Sequence, residues 1–308
     1  MILFRQMLIL FSLMLVGYCA LRGKVLLEQA ATPLSLLVTQ IANPALILSA
    51  SMESSFHVSM FQLLRIVGFS FLIYAVLIAV SRAVTMLFHG ENQTIYELML
   101  IFSNIGFMGI PLVKMVYGPK EFFYITVFQI PYDLLIYTYG VRRICGSGKS
   151  TSAADLLKSL VNPGSVAAVG AMLIYILSVP CHGLLYEPLR MLGSIAAPLS
   201  MMVIGASFYG TRLRELIMDR GIVLFSVVKL LMLPLILILI LWKAGVRTEM
   251  LHVCLIVFGT PVGSMVVMFT EQFKTGQKLS TECVAFTTLL SVFTIPLLQM
   301  ILQFLHIF

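Results

Sequence analysis

The amino-acid sequence predicts an all-α polytopic membrane protein of ten transmembrane helices, arranged as two inverted five-helix repeats with broken, crossing helices 4 and 9. Three observations predict this fold. The composition is that of a bilayer-embedded chain, since 60% of the 308 residues are hydrophobic and only 11% are charged, whereas soluble domains carry about 25% charged residues. Ten segments are apolar enough to span a bilayer. Two of them contain helix-breaking residues at corresponding places in the two halves of the chain.

A helix needs about 20 mostly apolar residues to cross the hydrocarbon core of a bilayer. We interpret the first apolar segment as a retained span, because Cys19-Ala20-Leu21 is a poor signal-peptide cleavage site. The ten predicted spans are 3–21, 32–51, 62–80, 94–116, 122–141, 163–180, 186–207, 221–242, 250–270 and 284–304.

The widest gap between spans, at 141–159, divides them five and five. We therefore predict a first five-helix repeat at 1–142, a linker at 143–162 and a second five-helix repeat at 163–308. If both termini are outside, twelve of the 20 Lys and Arg residues fall in cytoplasmic loops and five on the outer side. This asymmetry follows the positive-inside rule, so we expect the central linker in the cytoplasm.

The linker contains CGSGKST, which superficially resembles a phosphate-binding loop. That motif requires a glycine five positions before Gly148, but Arg143 occupies the position and no strand precedes it. The five cysteines form no CxxC pair and the five histidines are scattered, so we expect no metal site and no cofactor. No nucleophile–base pair can be assembled and no basic patch exists, so we expect neither an enzyme nor a nucleic-acid-binding protein.

The two halves of the chain match each other at a nearly constant separation. TQIANPALI at 39–47 corresponds to GSIAAPLSM at 193–201, which places Pro44 against Pro198, 154 positions apart. Because each half contains an odd number of spans, the two copies must cross the membrane in opposite directions. Inverted repeats of this kind commonly underlie alternating-access transporters.

The fourth and ninth spans also correspond. IFSNIGFMGIP at 101–111 lies against VFGTPVGSM at 257–265, which places Asn104 near Thr260, about 156 positions apart. Helices interrupted at corresponding positions are the best sequence indication of a binding site at the membrane midplane, because half-helix amino-terminal ends offer N–H groups to an anion. The alternative is ordinary proline kinks relieved by neighbouring helices. The predicted substrate-binding residues are Asn104, Gly106, Gly109, Pro111, Thr260, Pro261, Gly263 and Ser264.

Ionisable side chains within spans are costly and need an explanation. Asp133 lies near the middle of the fifth span and is either a proton carrier or a static hydrogen-bonded acid. Lys114 and Lys229 are further coupling candidates, although snorkelling to the membrane interface is the favoured interpretation and holding a carboxylate the alternative. Glu97 near an inner span end favours interface solvation. Tyr132 favours an interfacial anchor, and the alternative is that it lines a cavity.

SNIGFMGIPLV at 103–113 resembles the fourth-span pattern of the auxin efflux carrier superfamily, which includes plant PIN carriers and bacterial carboxylate permeases. The segment 259–299 resembles the carboxyl-terminal part of these proteins, with a proline in the ninth span, an aromatic-acidic run and a last span that ends near a proline. NPALIL at 43–48 is similar to their second span. The resemblance extends over essentially the whole chain.

The resemblance implies ten helices in two inverted repeats, with helices 4 and 9 crossing at their broken centres. It implies a secondary transporter that exports or exchanges small organic anions such as malate, malonate, lactate or auxin-like carboxylates by alternating access. By position, Asn104 matches the substrate-facing asparagine, and Pro111 and Pro261 match the crossover prolines. Many relatives carry a polar amide after the ninth-span proline, whereas this chain has Val262, Gly263, Ser264 and Met265.

The long hydrophilic loop of plant PIN carriers is absent, which favours the bacterial permease branch and a bacterial inner membrane. The expected partners are a small carboxylate, protons or sodium as coupling ion, and the lipid bilayer. The sequence leaves the oligomeric state open, with a homodimer as one alternative. The alternative functions are a sodium-coupled carrier of the bile-acid type and a membrane anion sensor that does not transport.

Overall fold

The structure of the protein is a computed structural model that describes residues 2–53, 58–86, 88, 92–145, 162–177, 184–209 and 213–308. Almost all of these residues are helical. The predicted linker at 143–162, including most of CGSGKST, lies outside the described residues apart from its ends.

Helices coincide with every predicted span over the part that is described. Six helical stretches are long and apolar enough to cross a membrane, and three shorter apolar helices accompany them within the described residues. The protein is therefore an all-α, multi-pass membrane protein, as predicted, whereas the count of ten spans stays a prediction. The helices are α1 (Ile2–Arg22), α2 (Ala31–Leu37), α3 (Asn43–Glu53), α4 (Met60–Thr85), α5 (Gln93–Ile101), α6 (Ile110–Val116), α7 (Pro119–Leu135), α8 (Val141–Cys145), α9 (Pro163–Leu177), α10 (Tyr186–Ser194), α11 (Ala196–Ser207), α12 (Leu213–Met218), α13 (Arg220–Val227), α14 (Leu233–Lys243), α15 (Thr248–Gly259), α16 (Ser264–Gln272) and α17 (Gln277–Phe304).

Prolines explain where several helices widen into π-helical turns. A proline has no N–H to donate to the carbonyl four residues earlier, and its ring clashes with that carbonyl. The turn containing the carbonyl therefore widens, and such π-bulges are frequent at functional sites. The π-helical segments of this kind are Val38–Ala42 before Pro44, Ile105–Gly109 before Pro111 and Val228–Met232 before Pro234.

The chain divides into two compact units, and each unit combines segments from both halves of the sequence. Unit 1 comprises Met1–Gly68, Gly106–Ile130 and Val161–Gly210. Its α1 and α11 pack very closely. A Cβ at Gly17 would lie 2.0 Å from the carbonyl oxygen of Met202, and one at Gly205 would lie 1.8 Å from that of Met14. Small residues permit this backbone approach, as is usual between membrane helices.

Unit 2 comprises Phe69–Ile105, Pro131–Leu160 and Thr211–Phe308. Its α5 is buried from Glu97 to Ile101, and α15 is buried from Val253 to Gly259. These two helices lead directly into the interrupted parts of the fourth and ninth spans. The interruptions therefore begin in the enclosed interior of unit 2, where an unsatisfied peptide group would be costly.

Candidate functional site

The fourth span is interrupted at residues 102–104. Helix α5 ends at Ile101, and Phe102 then has an extended backbone with φ −97° and ψ 90°. The chain re-enters helix in the π-helical segment Ile105–Gly109 and continues as α6, with Pro111 in its first turn. Asn104 lies within the interruption and is buried. The predicted break therefore exists at the predicted place.

The ninth span is interrupted at residues 260–263. Helix α15 ends at Gly259, and Thr260 has an extended backbone with φ −67° and ψ 150°. Gly263 is also extended, with φ −70° and ψ 135°, and α16 begins at Ser264. Pro261 cannot donate a helical hydrogen bond, which favours a break at this point, whereas Pro131 and Pro296 lie inside continuous helices.

The two interruptions pair with each other inside unit 2. Ser103 and Val262 form an isolated antiparallel β-bridge. The Asn104 N–H donates to the carbonyl oxygen of Pro261, and the Gly263 N–H donates to that of Phe102, both at 2.8 Å. Each broken helix therefore satisfies peptide groups that the other has released, which lowers the cost of breaking both in an apolar surrounding.

Some donors at the ninth-span interruption have no acceptor among the described residues. The N–H groups of Ser264 and Met265, at the start of α16, make no hydrogen bond within the described part of the chain, and both residues are half-buried. The hydroxyl of Thr260 is fully buried and likewise has no partner there. A helix amino terminus with open N–H groups and a nearby hydroxyl can bind an anion.

The remaining predicted site residues, Gly106, Gly109 and Pro111, belong to unit 1. Pro111 leaves the carbonyl of Phe107 without its helical donor, and the hydroxyl of Ser200 donates to that oxygen at 2.9 Å. The side-chain amide of Asn43 donates to the carbonyl of Gly106 at 2.9 Å. Side chains of α3 and α11 thus satisfy the carbonyls released where the fourth span resumes.

Gly263 is enclosed so tightly that no side chain fits. A Cβ at this position would lie 2.9 Å from the Phe102 carbonyl oxygen, 2.9 Å from the Tyr132 hydroxyl and 3.0 Å from the Ser103 carbonyl oxygen. Tyr132 is buried and its ring meets the Phe102 ring edge-on, with centroids 5.6 Å apart. Its interpretation as an interfacial anchor is therefore wrong, because the residue packs against the interruption.

Lys229 does not snorkel to the membrane interface, so that interpretation is wrong as well. The residue has no exposed surface, and its ammonium contacts the Ser103 hydroxyl at 2.6 Å. Its other contacts are the carbonyl oxygens of Leu100 and Phe258, at 3.2 and 3.3 Å. The lysine side chain points into the interior of unit 2 because one hydroxyl and two main-chain carbonyl oxygens are within hydrogen-bonding distance of its amine there.

The other coupling candidates have different surroundings. Lys114 is partly exposed and forms an ion pair with Glu53 at 2.5 Å in unit 1. The Tyr186 hydroxyl donates to the same carboxylate at 2.8 Å. Asp133 is buried within α7, near its end in unit 2. The coupling roles of Asp133, Lys114 and Lys229 stay predictions.

Glu97 is buried and is not solvated at an interface, contrary to expectation. In unit 2 its carboxylate accepts hydrogen bonds from Arg82 at 3.3 Å, from Arg143 and from the Tyr139 hydroxyl. Both arginines are substantially exposed. The cluster therefore connects the buried part of α5 to a charged surface. No group of three or more potential metal ligands occurs among the described residues.

Sequence reasoning missed Ser103, Asn43 and Ser200 as partners of the interruptions. Ser103 immediately precedes the predicted Asn104, so its adjacency was the available signal. Asn43 precedes Pro44 within the repeat-matched segment, and Ser200 follows Pro198 in the other copy. A polar residue close to a proline that the two repeats share could thus have indicated a side chain that donates to a released carbonyl oxygen.

Comparison with known proteins assigns the chain to a family. No curated protein sequence matches the chain. A family model described as "Membrane transport protein" matches residues 2–299, which is nearly the whole chain. The family is one of transporters, so the protein is a membrane transporter for a small-molecule substrate. The match confirms the resemblance inferred from residues 103–113 and 259–299, and the chain belongs to the membrane transport protein family, the family of the auxin efflux carriers.

Proposed function

We propose that the protein is a secondary transporter that exports or exchanges small organic anions, such as malate, malonate, lactate or auxin-like carboxylates, by alternating access. One observation carries the proposal: the paired helix interruptions of unit 2 leave the Thr260 hydroxyl and the Ser264 and Met265 N–H groups without acceptors among the described residues. A carboxylate supplies acceptor oxygens that match such donors.

In this proposal the carboxylate binds at the amino terminus of α16. Ser264 and Met265 donate main-chain N–H groups, and Thr260 donates its hydroxyl. Asn104 lies beside these residues because its N–H is bonded to Pro261, so we assign it to the same site. Donors fixed by the backbone need little reorganisation when an anion arrives, which favours binding without a large ordering cost.

The inverted repeat supports alternating access. The repeat-matched segments 39–47 and 193–201 both belong to unit 1, whereas Asn104 and Thr260 both belong to unit 2. The π-helical segment Val38–Ala42 also corresponds, in the 154-residue register, to the place where helix is interrupted at Ile195. We retain the repeats at 1–142 and 163–308, with both termini outside, as part of the proposal.

Coupling is assigned to protons through Asp133. This acid is buried within α7, and buried carboxylates in membrane proteins commonly mark proton pathways. Replacement of Asp133 by Asn should therefore abolish the dependence of uptake on a pH gradient. Unchanged proton dependence in the Asp133→Asn protein would contradict this assignment, and sodium dependence would indicate a bile-acid-type carrier instead.

A ligand screen of the purified protein tests the proposed function. The melting temperature is measured against a panel of mono- and dicarboxylates, with matched primary amides as neutral controls. We expect at least one carboxylate to raise it and its amide to have no effect. That carboxylate is then used in counterflow with proteoliposomes. Exchange supports the transporter, binding without exchange indicates a sensor, and stabilisation by the amides as well contradicts an anion site.

A further inference from the structure

Lys229 is an unusual feature of unit 2 that the proposed substrate site does not use. It lies in the π-helical segment Val228–Met232, where Pro234 widens the helix. Its side chain is completely buried, yet among the described residues no carboxylate forms an ion pair with it. A buried cation of this kind needs another source of negative charge.

The two carbonyl oxygens that bind Lys229 occupy equivalent places. Leu100 is the penultimate residue of α5, and Phe258 is the penultimate residue of α15. In continuous helices these carbonyls would accept from Asn104 and Val262. The interruptions redirect both donors, since Asn104 donates to the Pro261 carbonyl and Val262 to the Thr287 hydroxyl.

The carboxyl-terminal ends of both half-helices therefore converge on one ammonium. Each helix carries a partial negative charge at this end, which favours a cation. The Ser103 hydroxyl provides a third oxygen at 2.6 Å. A protonated lysine donates to all three oxygens, whereas a neutral amine would donate to the two carbonyls and accept from the Ser103 hydroxyl, so the charge is inferred from the two helix ends and not from the number of contacts.

We propose that Lys229 is a tethered cation that joins the carboxyl-terminal ends of the two broken helices and takes the place that a free monovalent cation would otherwise fill. It is a positioning residue: it fixes Ser103, which precedes Asn104, and thereby holds the paired interruption in register. This role depends on the fold of unit 2 and not on which carboxylate is carried, so it can fail independently of the proposed function.

Chemical rescue tests the proposal. Lys229→Ala removes three methylene groups and the ammonium, a volume that n-propylammonium matches, whereas Lys229→Met fills the space without a charge. We expect both variants to melt more than about 5 °C below the wild type. Millimolar n-propylammonium chloride should restore most of that loss in Lys229→Ala but none in Lys229→Met. Binding of the carboxylate found in the ligand screen should recover together with stability.

Two controls complete the experiment. Lys243→Ala removes an exposed lysine near the end of the following helix, α14, and should show neither loss nor rescue. Wild-type protein should melt at the same temperature in sodium, potassium and N-methylglucamine chloride. This measurement, together with Ser103→Ala, which should lower the melting temperature by removing one ligand, decides the matter even if Lys229→Ala yields no folded protein.

Three results would overturn the inference. The first is a Lys229→Met protein as stable as the wild type, because the charge would then be dispensable. The second is an equal effect of n-propylammonium on Lys229→Ala and Lys243→Ala, because the rescue would then be unspecific. The third is specific stabilisation of the wild type by sodium or potassium together with an unaffected Ser103→Ala protein, because a free cation and not Lys229 would then bind there.

Discussion

The interruptions of the fourth and ninth spans leave different peptide groups without a helical partner: carbonyl oxygens at the fourth and N–H groups at the ninth. Where the fourth span resumes, Asn43 and Ser200 cap carbonyl oxygens, so the acceptors are satisfied by the protein. Where the ninth span resumes, the N–H groups of Ser264 and Met265 have no acceptor among the described residues. The protein thus satisfies its own released acceptors at the fourth span, and the open donors at the ninth are the ones that the proposed function assigns to an anion.

The glycine within the ninth-span interruption and the glycine just after the fourth-span interruption also differ in how tightly they are enclosed. Gly263 has three oxygens within 3.0 Å of a hypothetical Cβ, whereas the nearest atom at Gly106 lies 3.8 Å away. The ninth-span interruption is therefore sterically fixed, whereas the π-helical segment in which the fourth span resumes has room for a methyl group at Gly106. Substitutions at the two glycines test this contrast.

The largest effect is expected for Gly263→Ala. The added methyl would collide with two main-chain carbonyls and the Tyr132 hydroxyl, and overpacking of this severity costs about 3 kcal/mol. The collision also separates Phe102 from Gly263, whose hydrogen bond holds the interruptions together. We expect a large fall in the melting temperature and loss of carboxylate binding.

Gly259→Ala is the matched control for this substitution. Gly259 ends α15, and its nearest neighbours are Leu298 and Ile295 side-chain atoms at 3.6 and 3.8 Å, which is ordinary contact. We expect only a small change in melting temperature and retained binding. Equal destabilisation by the two alanines would show that enclosure at Gly263 is not the cause.

The second effect in size is expected for Thr260→Val. The valine keeps the shape of the side chain and removes a buried hydroxyl that has no partner among the described residues. Stability should be unchanged or slightly higher, because an unsatisfied buried polar group is removed. Carboxylate affinity should fall roughly tenfold, or about 1.4 kcal/mol, if the hydroxyl binds the anion.

Thr288→Val provides the comparison for the binding measurement. Thr288 is equally buried, but its hydroxyl donates to the Val284 carbonyl in its own helix. We expect it to lower stability modestly and to leave the affinity unchanged in isothermal titration. The assignment of Thr260 to the substrate site fails if both variants bind the carboxylate as the wild type does.

The sequence predicted both interruptions because Asn, Gly and Pro act locally on the backbone. Pro111 and Pro261 prevent helical hydrogen bonds whatever surrounds them. It did not predict where Lys229 points, because a long stem can reach either the interface or the interior. The side chain lies in the interior because the Ser103 hydroxyl and the carbonyls of Leu100 and Phe258, all distant from it in sequence, contact its amine there.

Glu97 and Tyr132 were misplaced for the same physical reason. The type of a residue and its position along a span do not show which side of the helix faces the protein interior. Glu97 is buried because Arg82 and Arg143 reach it from other helices of unit 2. Partners that are distant in sequence leave no local pattern, so the contacts of the site could not be read from single segments.

A smaller effect is expected for Ser200→Ala, which tests the capped carbonyls. The hydroxyl of this fully buried serine donates to the main-chain carbonyl oxygen of Phe107 at 2.9 Å. Loss of such a hydrogen bond lowers the free energy of unfolding by about 1 kcal/mol. Ser207→Ala, at the exposed end of the same helix, removes only a bond to Ile204 and should be neutral. Equal melting temperatures for the two variants would show that the cap contributes nothing.

The smallest effect on stability is expected for Gly106→Ala. The φ angle of Gly106 is not positive, and the added methyl would meet only the Asn43 amide, at 3.8 Å. Alanine also restricts the unfolded chain, which offsets any crowding by about 0.5 kcal/mol. We therefore expect a melting temperature equal to or slightly above that of the wild type, in contrast to Gly263→Ala. A clear destabilisation would mean that the segment in which the fourth span resumes is as rigidly enclosed as the ninth-span interruption, and the difference between the two glycines would be lost.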